Sequence, residues 1–272
     1  MQYLMQLEYV PENYPYHLKE YGHLSINTMN INGKTALITG GAHRIGRAIT
    51  LELASKGANV IINYHNSENM AEQTVTEANK YNVKAMAIQA DVSNTNAVIN
   101  MFTKSQNELG PVQILINSAS IFKKTPLPLN TTHNWDEVTN TLIKGAFNCA
   151  NEASKHMLST GSGNIINIVD IMAWIPRSGY AAHAVGKSAL MGMTRQLAVD
   201  LAPHVRVNAV APGPVLAPND YSQETKDKIA SRTLLKRWGK PEDVSKAVSF
   251  LIESDYITGE YITVDGGERY GK

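Results

Sequence analysis

From Lys34 onward, apolar runs of strand length alternate with helix-length amphipathic segments. The runs are TALIT (35–39), NVIINY (59–64), KAMAIQ (84–89), ILIN (114–117), NIINIV (164–169), VRVNAV (205–210) and YITV (261–264). They are continuous rather than alternating, as expected of strands buried on both faces. The segments between them, such as 46–56 and 70–81, are long enough for crossover helices. Strand and helix in strict succession predict a single α/β domain, a doubly wound parallel sheet of seven strands. No repeat or interdomain linker interrupts it. The domain is expected to span 31–272, with 1–30 as an N-terminal extension.

The extension, MQYLMQLEYVPENYPYHLKEYGHLSINTMN, holds five tyrosines and two prolines. It lacks the apolar core of a secretory signal and the Arg-rich pattern of a transit peptide. A surface extension, a natural start at Met29, and an arm over a neighbouring subunit or the active site are all compatible with it.

The first strand ends in TGGAHRIGR (39–47). A glycine turn between strand and helix lets backbone N–H groups and the helix N-terminus face a pyrophosphate. This makes the domain Rossmann-type. Gly40, Gly41 and Gly46 are placed for that turn, and Arg44 stands where a middle glycine would, adding positive charge. The second strand ends in NYHNS (63–67), without the carboxylate that grips a ribose 2′-hydroxyl in NAD sites. His43, Tyr64, His65, Asn66 and Ser67 would suit a 2′-phosphate, so NADP(H) is expected, although His65 could equally be a solvated loop residue. ADVS (90–93) puts Asp91 where it can accept from an adenine amino group or cap the next helix. NSASIF (117–122) brings Asn117, Ser118, Ala119 and Ser120 to the carboxyl edge of the sheet. Phe122 is either core or one wall of a slot for a flat ring.

With 272 residues, 43% of them hydrophobic, the chain can bury a large core. Its 25 basic and 24 acidic residues give no charge imbalance that would attract nucleic acid or a membrane surface. No apolar run reaches the roughly 18 residues of a membrane span. Cys149 is the one cysteine, so no intrachain disulfide can form, which suits a reducing, cytoplasmic setting. No metal site is expected, and the partner is a small-molecule substrate.

DIMAWIPRSGYAAHAVGK (170–187) carries the candidate chemistry. Taken with TGGAHRIGR, ADVS, NSAS, NAVAPGP (208–214), LLKRWGKPEDV (234–244) and ITGEYITVDGG (257–267), it resembles the short-chain dehydrogenase/reductase superfamily over about 31–270. Within it the chain is most similar to the pteridine reductases: Arg44 replaces a phosphate-turn glycine, NSASIF supplies Ser120 and Phe122, and Asp170 replaces the usual serine. The resemblance implies that Ile45, Val92, Pro212, Gly213 and Val215 also line the cofactor. Arg44, Ser120, Phe122, Asp170 and His183 would then contact substrate. It implies pro-S hydride transfer and a homotetramer or homodimer built on helices near 135–158 and 180–201.

Most of that superfamily uses an Asn–Ser–Tyr–Lys set. Here Leu142 falls at the asparagine, Asp170 at the serine and His183 at the tyrosine, and Lys187 alone is kept. An imidazole can act as general acid near neutral pH. Asp170 would favour its charged form and Lys187 oppose it. Tyr180, three residues before His183, is either a substitute phenol or a packing residue. Three readings follow: an NADPH-dependent reductase acting on the C=N of a pterin or similar flat heterocycle, with Asp170, His183 and Lys187 as its catalytic set; a carbonyl or hydroxyl oxidoreductase using His183; or a non-catalytic protein that binds NADP(H) or a pterin.

Overall fold

The computed structural model describes residues 29–218 and 220–271; the extension up to residue 28 lies outside the described residues. The strands are β1 (Thr35–Ile38), β2 (Asn59–Tyr64), β3 (Ala85–Gln89), β4 (Ile114–Asn117), β5 (Gly163–Ile168), β6 (Val205–Pro212) and β7 (Tyr261–Val264). They form one seven-stranded sheet in the order β3-β2-β1-β4-β5-β6-β7, and every pairing is parallel. The chain builds outward from β1 to β3, then returns to the far side of β1 through β4. This reversal opens a crevice at the carboxyl ends of β1 and β4, where such sheets bind ligands.

Two helical layers explain why the strands read as unbroken apolar runs. Ala36 and Ile38 of β1, Val60 and Ile62 of β2 and Ile114 and Ile116 of β4 pack on one face. That face is covered by α1 (Arg44–Ser55), α2 (Glu68–Ala78) and α8 (Pro241–Glu253). The alternate residues Leu37, Ile61, Leu115 and Ile165 face the opposite layer. There they meet α3 (Thr95–Leu109), α5 (Ala146–Thr160) and α6 (Ala181–Leu201). A strand with period-two side chains and two apolar partners needs hydrophobes at every position. Two shorter helices, α4 (His133–Thr139) and α7 (Gln223–Arg232), complete the set.

The expected strands lie within two residues of those observed. The expected helix at 46–56 begins two residues earlier, at Arg44. The one at 70–81 begins at Glu68 and tightens into a 3₁₀ turn over Asn79–Tyr81. Met29 and Ile31 are buried in the same core as β1. Between α4 and α5 the helix widens into a π turn over Asn140–Gly145. Its Leu142 is 1% exposed and packs with Val138 and Ala182.

The glycine turn is fixed by close backbone contact. A Cβ on Gly46 would lie 2.2 Å from the Gly40 carbonyl oxygen, with no flexible side chain to give way. Gly46→Ala should therefore destabilise the fold by ~2 kcal/mol or more, the cost of overpacking a rigid site. Urea denaturation should show a lower midpoint at unchanged slope.

Candidate active site

The dinucleotide cradle is built from three strand ends. Gly40 turns with φ +61°, and a Cβ there would lie 3.1 Å from Ala119 Cα. Gly40 and Gly41 donate to Asn63, at Oδ1 and the backbone oxygen (3.4 and 3.1 Å). Asn63 Nδ2 donates to the Ala90 carbonyl at 3.0 Å. Thr39 Oγ1 accepts from the amides of Ser118 and Ala119 at 2.9 and 3.0 Å. Asn63 and Thr39 thus lock β1 to its neighbours at the crevice. Neither was singled out from sequence, although a polar residue inside an apolar run such as NVIINY is itself a signal of a buried role.

The first turn of α1 contains no acidic residue, and its N-cap His43 makes no side-chain cap. Its amides are free to face an anion. Arg44 and Ile45 open that helix. Arg44 holds φ +54°, a left-handed conformation that costs a side-chain-bearing residue roughly 1 kcal/mol. This explains why a glycine suits the position. The Arg44 guanidinium donates through Nη2 to Leu216 O at 2.9 Å.

Tyr64 is buried at the end of β2, followed by exposed His65 and Asn66 and half-buried Ser67. No carboxylate occurs from 63 to 67. Asp91 Oδ1 closes a turn onto Ser93 N and Oγ (2.9 and 2.8 Å), while Asn94 caps α3. Val92 is buried against Gly145. Asn117 points into the core, where its Nδ2 donates to Asn167 Oδ1 at 2.9 Å, and Asn167 donates to Thr194 Oγ1 at 2.9 Å. The contribution of Asn117 to the crevice is therefore its backbone. Pro212 ends β6, with Gly213 packed against Asp265 and Val215 buried beyond it. These surfaces fit a dinucleotide: backbone amides for a diphosphate and a close-packed glycine floor, with Glu68, beside the Tyr64 hydroxyl, the first carboxylate after β2.

The catalytic candidates sit where β5 ends and α6 begins. His183, Gly186, Lys187, Leu190, Met191, Thr194 and Ala198 form the buried stripe of α6 at helical spacing. Lys187 is 3% exposed, and its Nζ donates to the Ile168 carbonyl at 2.7 Å. Burial lowers its ammonium from the usual 10.5 to about 8, opposed by the charge of Asp170. Asp170 caps the 3₁₀ turn Ile171–Ala173, Oδ1 accepting from Met172 N at 2.7 Å. Its Oδ2 lies 3.5 Å from His183 Nε2, a long contact that becomes an ion pair when the imidazole is protonated. The Asp170 side chain is 30% exposed and that of His183 only 4%. His183 Nδ1 is buried without a hydrogen-bond partner among the described residues.

An aromatic pair covers His183. Phe122, 55% exposed, stacks on Tyr180 at 4.5 Å and meets His183 edge-on at 4.8 Å. Thr125 holds this arrangement, its amide donating to Gly179 O at 2.7 Å and its Oγ1 accepting from Ala182 N at 3.0 Å. Ser120 is exposed on the same segment. Leu142 fills the space against Gly186, whose Cβ would lie 2.7 Å from Leu142 Cδ1. An apolar contact therefore stands at the position that the family resemblance gives to a relay asparagine.

A glycine cradle at the switch point of a parallel sheet, with a buried lysine and a titratable pair beside it, defines a dinucleotide-dependent oxidoreductase. The chain belongs to the short-chain dehydrogenase/reductase family. The family model described as enoyl-(acyl carrier protein) reductase matches residues 40–268. The chain is 38% identical to the 3-oxoacyl-(acyl-carrier-protein) reductase FabG of Staphylococcus epidermidis, over 86% of this chain and 98% of that protein. Among solved structures, a blue fluorescent protein from a metagenomic library, in complex with NADPH, is 36% identical with TM-score 0.81, over 88% of this chain and 99% of that one. The FolM alternative dihydrofolate reductase 1 from Brucella canis, complexed with NADP, is 30% identical with TM-score 0.84, over 89% and 96%.

The unfolded chain keeps the lysine proton up to about 10.5 and the folded chain releases it above about 8. Stability therefore rises with pH between those values, and below about 8 the cost of burying the charge is present in full. At about 1.4 kcal/mol per pH unit this cost is ~3–4 kcal/mol. The Ile168 carbonyl that Lys187→Met orphans takes back ~1–2 kcal/mol. Lys187→Met should raise the Tm of the ligand-free protein by a few degrees at pH 7, and by less near about pH 9.5, while weakening dinucleotide binding. Calorimetry at the two pH values and a cofactor titration check both halves.

Proposed function

We propose that this protein is an NADPH-dependent reductase acting on the C=N bond of a pterin or similar flat heterocycle. The observation that carries the reading is the Asp170–His183 pair (3.5 Å) where the family resemblance leads one to expect two hydroxyls. A carboxylic acid or an imidazolium protonates a basic imine nitrogen readily, whereas a ketone oxygen gains more from a phenol beside an ammonium. Asp170, the more exposed of the pair, touches the substrate nitrogen. His183 acts through Asp170 from behind. Phe122 supplies an apolar wall for the ring, and Ser120 and Arg44 reach polar atoms at its edges. Lys187 holds the nicotinamide ribose. Bound NADPH would supply the hydride. The preference for NADPH rests on the missing carboxylate at 63–67 and on His43 and His65 nearby. The likeness to a FolM protein complexed with NADP supports the same reading.

A second reading, a carbonyl reductase, draws on the 38% identity to FabG and on retained Lys187. Both are tested by following NADPH loss with dihydrobiopterin, dihydrofolate and a panel of ketones, alongside titrations of NADPH and NADH. The pterin reading expects turnover of pterins, NADPH bound at least tenfold tighter than NADH, and a loss of 10²-fold or more in Asp170→Asn. Ketone turnover alone, with His183→Tyr faster than the parent, would establish the second reading. Tight NADPH binding without any turnover would make the chain a binding protein.

We also infer a homodimer or homotetramer in a reducing, cytoplasmic setting. Phe147 on α5 and Val185 and Val199 on α6 are 52%, 47% and 75% exposed, an apolar surface suited to pairing these helices between copies. Light scattering at micromolar concentration should give a mass of two or four chains; a stable monomer contradicts it.

A further inference from the structure

The segment from Asp170 to Tyr180 has a candidate site residue at each end and is held in its middle by an ion pair. Arg177 donates through Nη2 to Glu268 Oε1 at 2.9 Å. The same oxygen lies 3.5 Å from Nε of Arg232, the last residue of α7. The Glu268 side chain is 7% exposed, against 38% for Arg177 and 41% for Arg232. Its second oxygen, Oε2, is buried without a hydrogen-bond partner among the described residues. One buried carboxylate therefore joins two segments that rise from the carboxyl edge of the sheet, one after β5 and one after β6.

The backbone of the C-terminal tail fits the same purpose. Gly267 turns the chain with φ +79°. Gly271 lies so close to α7 that a Cβ would sit 1.6 Å from Arg232 O. Trp174, in the same post-β5 segment, packs its ring 4.9 Å from that of Tyr261 on β7. The neighbouring pair Asp265–Arg269, 3.8 Å apart, lies within the tail. A buried carboxylate is costly unless its partners are held in place, so Glu268 draws both guanidinium groups to one oxygen, Arg177 by a hydrogen bond and Arg232 by charge alone.

We propose that Glu268 is a positioning residue for the substrate site, holding the 171–180 segment and the end of α7 together so that Asp170 and Tyr180 keep their places. This rests on the reading above only in taking that segment as a wall of the substrate site.

Hydrogen exchange read by mass spectrometry on the full chain needs no substrate, so it tests the clamp even if the pterin reading fails. Glu268→Ala should speed exchange at least tenfold in both 171–180 and 223–232 while the β1–β4 core is unchanged. Arg177→Ala should loosen the first segment only. Glu268→Gln, which keeps the shape, should give an intermediate effect and carries the test if the alanine variant does not fold. With the substrate that the panel identifies, kcat/KM should fall tenfold or more in Glu268→Ala, with the NADPH Kd within twofold of the parent. Unchanged exchange in either segment overturns the proposal. So does a uniform rise across the sheet, or a loss confined to NADPH affinity.

Discussion

A buried ammonium anchors the site. Lys187 sits in the interior with its Nζ on the Ile168 carbonyl at 2.7 Å. That bond ties the second turn of α6 to the last residue of β5. Asp170 follows two residues along one element, and His183 precedes by one turn on the other. Their 3.5 Å separation is thus set by the lysine that both flank. The lysine is costly to bury, which is why its ammonium falls to about 8. A residue that lowers stability and yet lies at the centre of a site is the mark of a functional demand.

Around that anchor stand the residues that the family resemblance aligns with its usual polar set. Leu142, which the family resemblance aligns with a relay asparagine, is packed on Gly186. His183, shorter than a phenol, lies under the edge of Phe122 rather than in the open crevice. The group left facing the crevice is the carboxyl of Asp170, whose Oδ1 is fixed by Met172 N and whose Oδ2 turns to His183. A carboxyl steadied in this way can hand a proton to a basic nitrogen or accept one from it.

The strand pattern was legible because burial on both faces leaves a run of hydrophobes that little else produces. The parallel, doubly wound class followed from alternation with helices, while the order of the strands came only with the structure. The glycine turn was legible because Gly40 and Gly46 serve backbone contacts that any Cβ would break. The spacing of Asp170, His183 and Lys187 could be read, but not that His183 is covered, because the cover comes from Phe122 and Tyr180, separated in sequence and joined by Thr125. The inward turn of Asn117 toward Asn167 was equally hidden: the sequence marks the strand end, not which way an amide points. Arg44 was read as a charge at the phosphate turn; its left-handed backbone and its bond to Leu216 belong to tertiary structure. Glu268 gave no signal, lying in a tail whose partners are about 35 and 90 residues away in the chain.

The central claim is that Asp170 and His183 work as one proton-handling unit. A double-mutant cycle in single-turnover kinetics, with Asp170→Asn, His183→Gln and the double variant, tests it directly. A unit predicts that the double variant is no slower than the worse single variant, with a coupling free energy above about 1 kcal/mol. Rate losses that simply multiply, or a His183→Gln enzyme as fast as the parent, would contradict it.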